Sequence, residues 1–108
     1  MSDLGTEPSM QVVDEPAASR YVIRLDGRPA GAARYRLRGE VMSVDHTEVD
    51  DRFEGRGVGS ALARGVLDDA RRRGLAVRPH CPFLRAYIAR HREYVDLVRP
   101  ADRPAFGL

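Results

Sequence analysis

The sequence predicts an α+β protein, an α/β sandwich in which a mixed sheet and two helices follow the order βββ-α-β-α. Residues 20–49 alternate apolar and polar side chains with a period of two, which is typical of half-exposed strands. From Val58 the period becomes that of an amphipathic helix, and a short β-branched run follows that helix. A chain of 108 residues fits one domain with a modest core, so two layers are expected.

Three strands joined by short turns are predicted first. Residues 20–26 are rich in β-branched and aromatic side chains and end at the turn signal Asp26-Gly27-Arg28-Pro29. Residues 30–38 alternate small or apolar side chains with arginines, as in a half-exposed antiparallel partner. The third strand covers about residues 40–49, and period two places four of its side chains on one face: Met42, Val44, His46 and Glu48.

The second half of the chain is predicted as helix, strand and helix. The first helix begins at Val58 and ends near Gly74, a residue favoured at a helix C-terminus. Residues 75–80 form a short strand, which should run parallel to the third strand because a helix connects the two. Residues 83–91 form a second helix, and residues 94–98 a last short strand. The second helix should bury one face, made by Leu84, Tyr87 and Ile88.

The ends of the chain are predicted as tails around one domain. Residues 1–19 lack periodicity and are interpreted as a loose tail, residues 20–98 as the domain and residues 99–108 as a C-terminal tail. No signal peptide or membrane span is expected, because neither a basic start nor a long apolar run is present. The single cysteine, Cys81, fits a reducing compartment, so a cytoplasmic location is expected.

All 18 basic residues are arginines, and the net charge is +2. Arginine favours phosphate, in a nucleic acid or in a phosphorylated cofactor, although a genomic codon bias explains the same composition without any ligand. Acidic residues are interleaved with the arginines, and no aromatic side chains alternate with them in the manner of a single-strand binding platform. A nucleic-acid partner is therefore not expected.

A glycine-rich turn lies between the third strand and the first helix. Gly55, Gly57 and Gly59 lack Cβ, so the backbone can adopt positive φ and approach a ligand closely. The first N–H groups of a helix are unpaired and attract anions, and Arg52 and Arg56 can add charge-assisted hydrogen bonds. The turn predicts a pyrophosphate site; the alternative is a tight turn with no ligand.

Two common phosphate-binding motifs do not match this turn. Ser60 stands where a dinucleotide-binding G-x-G-x-x-G has its third glycine, and no Gly-Lys-Ser/Thr sequence is present. A nicotinamide fingerprint also opens the first βαβ unit of a parallel sheet, whereas three antiparallel strands are predicted here before the turn.

The run Arg52-x-x-Gly55-x-Gly57, followed by Val58-Gly59-Ser60, resembles the acetyl-CoA signature R/Q-x-x-G-x-G/A of the GNAT superfamily of N-acetyltransferases. The segments His46-Thr47-Glu48-Val49 and Cys81-Pro82-Phe83, with Tyr94 further on, are similar to the short, single-domain YjdJ-type branch. The resemblance covers residues 20–98. It implies that backbone amides around Arg56 to Ser60 hold the pyrophosphate of coenzyme A, and that two parallel strands splay apart to admit the pantetheine arm.

The resemblance implies an N-acetyltransferase that uses acetyl-CoA and an unidentified amine acceptor. Such a reaction needs a base for the amine, a donor to the thioester oxygen and an acid for the leaving thiolate. His46 can be the base, with Glu48 as its substitute or partner, and backbone N–H groups from Thr47 to Val49 can donate to the oxygen and the coenzyme. Cys81 can protonate the thiolate or accept the acyl group itself. The structural alternatives are a hydrogen-bonded core histidine and a small core cysteine.

The sequence departs from the superfamily pattern at the acid. Many members have an Asn after the last parallel strand and a Tyr seven residues later; here these positions hold Cys81 and Ile88, with Tyr87 one residue short. The acid is therefore left open, and so is the alternative of a non-catalytic module that binds acyl-CoA. The superfamily's N-terminal helices are also missing, which leaves an open site suited to a protein-borne amine. The histidines have no metal-ligand spacing with Cys81, so no metal is expected.

Overall fold

Five strands form a single mixed sheet in the computed structural model, which describes residues 9–108. The strands are β1 (Met10–Glu15), β2 (Arg20–Leu25), β3 (Arg28–Arg38), β4 (Val41–Val49) and β5 (Ala76–Pro79). Their order in the sheet follows the chain; β1 to β4 pair antiparallel, and β5 pairs parallel to β4. The α+β class and the parallel last strand are confirmed.

Two α-helices complete the fold as predicted. Helix α1 (Val58–Arg72) packs across all five strands, and α2 (Pro82–Arg90) packs against β4, β5 and α1. Proline suits the first position of α2, because a backbone N–H at that position has no partner within a helix and proline has no N–H to leave unpaired. No helix within residues 9–108 is both long enough and apolar enough to cross a bilayer. The buried side chains of α1 share one face: Val58, Leu62, Ala63, Val66, Leu67 and Ala70.

Strand β1 corrects the prediction of a loose tail over residues 1–19. Residues 10–15 pair with β2 along their whole length, whereas residues 1–8 lie outside the described part of the chain. Val12 packs directly on α1 at Gly65, where an added Cβ would lie only 2.6 Å from Val12 Cγ2. The strand was missed because its order comes from these tertiary contacts, which a short and half-polar segment does not reveal.

The C-terminal segment is also ordered. Residues predicted as a last strand form a 3-10 helix, Arg92–Leu97, and a second 3-10 helix follows at Arg103–Phe106 within the predicted tail. Phe106 is buried, and the ring of His80 meets it edge-on at 5.1 Å between centroids. The strand prediction failed because no neighbouring strand is available to Tyr94–Val98, so this segment satisfies its backbone locally.

A polar network connects α1 to the sheet. The hydroxyl of Tyr21 donates to Asp69 at 2.6 Å, and the hydroxyl of Tyr35 donates to Asp14 at 2.6 Å. The guanidinium of Arg73 donates to both carboxylates at 3.1 Å. Burial, followed by the hydrogen bond to Asp14, raises the pKa of Tyr35 to about 12. These contacts connect β1, β2 and β3 to the C-terminal half of α1.

Candidate functional site

A bulge in β4 decides which way the site residues point. Arg34 of β3 lies opposite His46, but the next residue, Tyr35, lies opposite Val44, so Asp45 is an extra residue in β4. An extra residue reverses the alternation of side chains for the rest of a strand. Before the bulge, the even-numbered side chains of β4 face the helices. After the bulge, the odd-numbered side chains face the helices and the even-numbered ones face outward.

The predicted common face of Met42, Val44, His46 and Glu48 is wrong for this reason. Met42 and Val44 are buried under the helices, whereas the side chains of His46 and Glu48 are 59% and 74% exposed. His46 Nε2 and Glu48 Oε2 are 3.2 Å apart, so the predicted partnership of these two side chains is present on the outer face of the sheet. The alternative of a buried structural His46 does not hold.

Thr47 takes the inward place instead and meets Cys81. The Sγ of Cys81 donates a hydrogen bond to Thr47 Oγ1 at 3.2 Å, and the backbone N–H of Cys81 donates to the carbonyl of Val44 at 3.0 Å. Cys81 is buried, at 4% exposed, directly before α2. The structure thus brings Cys81 beside Thr47 and leaves His46 on the opposite face of the same strand.

Strand β5 ends beside this pair, whereas β4 continues. Their last matched residues are Val44 and Pro79, after which β5 ends and β4 continues for five residues to Val49. The edge of β4 from the bulge onwards has no strand beside it on the β5 side. This is the place where the resemblance expects a coenzyme arm to pass between diverging strands.

The glycine-rich turn leads from β4 into α1. Gly55 and Gly57 have φ of 79° and 76°, in the left-handed region that favours glycine, and Gly57 is the N-cap of α1. Gly57 offers no side chain to cap the helix, and the first backbone N–H groups of a helix lack partners within it. The amides of Val58, Gly59 and Ser60 therefore have no acceptor within the helix and lie at the positive end of a helix of 15 residues.

The third glycine has a packing reason that the sequence did not reveal. A Cβ on Gly59 would lie 2.9 Å from Cζ of Phe83 and 3.6 Å from Cγ2 of Val49. Phe83, at 38% exposed, thus packs over the start of α1 beside the free end of β4. The pattern G-x-G-x-G serves a close approach here as well as the turn itself.

Arg52 and Arg56 flank the turn and are exposed. Arg52 makes hydrogen bonds of 3.1 Å and 2.8 Å to the two carboxylate oxygens of Asp50, and its backbone N–H donates to the same carboxylate. These side-chain and backbone hydrogen bonds lower the pKa of Asp50 to about 2. Asp50 was missed by sequence analysis, although an Asp directly before a helical turn is a common N-cap.

An open depression of about 580 Å³ lies at the other face of the same strand end. Its lining combines charged side chains from β2 and β4 with the small residues at the start of β3, among them Arg20, Arg24, Gly31, Ala32 and Glu48. The free end of β4 therefore borders this open depression on its outer side, where Glu48 lies, and the buried Cys81 on its helix side.

The positions that differ from the superfamily pattern are filled with core residues. Ile88 is fully buried, and the ring of Tyr87 is buried and stacked on His91 at 4.0 Å between centroids. Ile88 has no proton to donate, and the ring of Tyr87 is part of the core. Within residues 9–108 no group of three or more His, Cys, Asp or Glu side chains is arranged to hold a metal ion.

Comparison with known proteins identifies a family for this chain. Residues 20–97 match the family model described as GCN5-related N-acetyl-transferase. Protein NATD1 of Gallus gallus is 25% identical over 95 residues, covering 84% of this chain and 86% of the relative. Protein NATD1 of Xenopus tropicalis is 23% identical over 104 residues, covering 93% of this chain and 95% of the relative.

Two solved structures share the fold. A GCN5-like protein from Staphylococcus aureus superposes with a TM-score of 0.63 at 23% identity, over 82% of this chain and 86% of that one. The ribosomal-protein-S18-alanine N-acetyltransferase from Escherichia coli superposes with a TM-score of 0.51 at 22% identity, over 54% of this chain. The matched region spans 38% of the Escherichia coli enzyme, so this likeness concerns the fold alone.

Proposed function

Because the chain belongs to the GCN5-related N-acetyl-transferase family, we propose that it transfers an acetyl group from acetyl-CoA to an amine. One observation carries the proposal: the glycine-rich turn at the start of α1 lies beside the end of β4 that β5 leaves unpaired. A phosphate-binding turn and an open strand edge are the two features that a long, anionic coenzyme requires. The acceptor is an amine that remains to be identified, and a protein-borne amine fits the open outer face.

The residues of the turn fit the coenzyme's pyrophosphate. The amides of Val58, Gly59 and Ser60, which lack partners within the helix, can donate to phosphate oxygens, and no Cβ at Gly55 or Gly57 obstructs the approach. Arg52 and Arg56 supply positive charge on the same side of the turn, and their guanidinium groups suit phosphate oxygens. Coenzyme A is therefore the ligand proposed for this loop.

The free edge of β4 suits the rest of the coenzyme. Backbone groups from Thr47 to Val49 lie on the β5 side without a neighbouring strand, so they are available to the amides of a pantetheine arm and to a thioester oxygen. The apolar side chains of Val49 and Phe83 flank this edge at the start of α1. An arm bound here would bring its sulfur towards Thr47 and Cys81.

Acetyl-CoA supplies an acetyl group activated as a thioester, and Cys81 is proposed to act on it. In one route the Cys81 thiol gives its proton to the departing coenzyme sulfur as the amine forms its amide bond. In the other route Cys81 Sγ takes the acetyl group, its proton leaves with the coenzyme thiol, and the amine then displaces Sγ. The hydrogen bond to Thr47 holds Sγ at the strand edge in both routes.

His46 and Glu48 are proposed to accept the proton of the incoming amine. They lie on the outer face of β4, whereas Cys81 lies on the inner side, so base and thiol would approach the same strand edge from opposite faces. The 3.2 Å contact between them lets Glu48 orient the imidazole and stabilise its charged form. The depression beside Glu48 is open to an acceptor.

A second candidate function is a non-catalytic module that binds acyl-CoA. The observation that favours it is the fully buried Ile88, at the position where many superfamily members have the Tyr that acts as the general acid. Radiolabelled acetyl-CoA incubated with small amines, peptide N-termini and lysine peptides separates the two candidates. Transfer that is lost in Cys81→Ala supports the enzyme, whereas tight binding without transfer to any acceptor supports the module.

A further inference from the structure

Three guanidinium groups gather around one buried aromatic ring next to the glycine-rich turn. The guanidinium carbons of Arg28 and Arg52 lie 5.7 Å from the centroid of Phe53, and that of Arg56 lies at 5.9 Å. Phe53 is only 5% exposed, although all three arginines are exposed. The arginines come from three different segments: the start of β3, the 3-10 turn after β4 and the glycine-rich turn itself.

The positive charge of this arginine cluster is only partly neutralised. Asp50 binds Arg52 through both carboxylate oxygens, so one of the three charges has a partner. Within residues 9–108 neither Arg28 nor Arg56 forms an ion pair, although the exposed carboxylates Asp51 and Glu54 are nearby in the sequence. Positive charges around one ring repel one another, and a bound anion would relieve that repulsion. The cluster therefore has the character of an anion site.

The aromatic ring gives this cluster a fixed shape. A guanidinium group within about 6 Å of a ring centroid is attracted to the ring face, which restricts the motion of an otherwise flexible side chain. The planar fork of arginine binds a phosphate through two parallel hydrogen bonds, which a lysine cannot do. Arginines positioned by one buried ring are thus better prepared for a phosphate group than three unconnected surface arginines.

We infer that Arg28, Arg52 and Arg56 bind the 3′-phosphate of the coenzyme, and this inference rests on the proposed function. Coenzyme A carries two separate anionic groups, a pyrophosphate and a phosphate on its ribose. The helix amides of the turn are assigned to the pyrophosphate. Arg52 and Arg56 border that site as well, and together with Arg28 they are assigned to the second group. Arg28 lies outside the glycine-rich motif and reaches the cluster only through the fold, because β3 begins next to the end of β4.

The test compares coenzyme A with dephospho-coenzyme A, which lacks only the 3′-phosphate. Dissociation constants are measured by calorimetry at low ionic strength for the wild type, Arg28→Gln and Arg28→Lys. The control is Arg38→Gln, which removes an exposed arginine at the other end of the same strand that forms no ion pair with any described residue. The wild type should bind coenzyme A about tenfold more tightly than the dephospho form, as expected for one charge-assisted contact.

Arg28→Gln should lose this preference by weakening coenzyme A while leaving the dephospho form unchanged. Arg28→Lys should retain part of the preference because it keeps the charge without the fork, and Arg38→Gln should retain all of it. If the wild type binds both forms equally, or if Arg28→Gln weakens both equally, the inference is overturned and the proposed function stands. If neither form binds the wild type, the proposed function fails together with the inference.

Discussion

The thiol of Cys81 donates a 3.2 Å hydrogen bond to the hydroxyl of Thr47, joining the start of α2 to the part of β4 beyond its bulge. Without the extra residue Asp45, Thr47 would face outward and this bond could not form. The bond holds a buried thiol next to the strand edge that β5 leaves free. The account of the chemistry depends on this position.

Replacing Cys81 by Ala should lower acetyl transfer by about 100-fold, the range of one acid or base group, without weakening coenzyme A binding. Thr47→Val removes the hydrogen-bond acceptor with little change in shape, so it should lower kcat and leave KM almost unchanged. Steady-state kinetics and calorimetry on both variants provide the two readouts. Full activity in Cys81→Ala would reduce this cysteine to a packing role.

Replacing His46 by Gln should also reduce kcat by about 100-fold if the imidazole is the base. The free energy of unfolding of the protein should not change, because the His46 side chain is exposed on the outer face of β4. Glu40→Gln serves as the control, since Glu40 is an exposed carboxylate directly before the start of β4, at the opposite end from His46. A His46→Gln enzyme with wild-type kcat would assign the proton transfer to another group or to water.

Gly65→Ala should destabilise the fold by about 1–2 kcal/mol, because overpacking outweighs the better helix propensity of alanine. The new Cβ would lie 2.7 Å from Cβ of Val12, so strand β1 would have to move. Gly59→Ala is the matched control in the same helix: its Cβ would be tight only against the far end of the Phe83 ring and in ordinary contact with Val49, so a change within about 0.5 kcal/mol is expected. Urea denaturation measures both variants. A stabilised Gly65→Ala would show that β1 does not rest on α1 in solution.

Stability should decrease in acid partly through Asp69. Burial raises the pKa of this carboxyl. Hydrogen bonds from Tyr21 and Arg73 and the charges of Arg72 and Arg73 lower the pKa by more, so it lies below its usual value. The stabilisation is therefore present above the unfolded-state pKa of about 3.9 and is lost as the pH falls through the lower folded-state pKa. Unfolding free energies of Asp69→Asn, measured from about pH 6 to about pH 2, should decline less steeply than those of the wild type. Parallel curves would contradict this role.

The elements with strong periodicity were predictable from the sequence. Helix α1 and strands β2 to β4 alternate or repeat so regularly that their positions follow from local patterns, and Gly74 after the helix fixed its end within two residues. Strand β1 and the C-terminal 3-10 helices were missed because contacts distant in sequence order them: Val12 on Gly65, and Phe106 against His80. Local propensity does not contain this information.

The candidate site was predictable only in part. The glycine-rich turn was found because positive φ and a helix start leave a clear signal at Gly55 and Gly57. The direction in which His46 and Thr47 point was not predictable. The extra residue Asp45 reverses the faces of both side chains, and nothing in the period-two pattern marks this bulge. The roles of Phe53 and Arg28 in the arginine cluster were missed because these two residues meet only after the sheet has formed.

Binding of coenzyme A to the glycine-rich turn is the central claim, and a ligand-dependent melting temperature tests it most directly. The wild type is melted with acetyl-CoA, coenzyme A, NAD or ATP, and Gly57→Val, which strains a residue with φ of 76°, is the matched variant. At about 100 times its dissociation constant a ligand adds roughly 2.7 kcal/mol, and each kcal/mol shifts a domain of this size by about 4–8 °C. Both coenzyme A species should raise the wild-type melting temperature by about ten degrees or more, with little effect from NAD or ATP and a smaller shift in Gly57→Val. No shift with either coenzyme A species would contradict the claim and leave the glycines with a purely structural role.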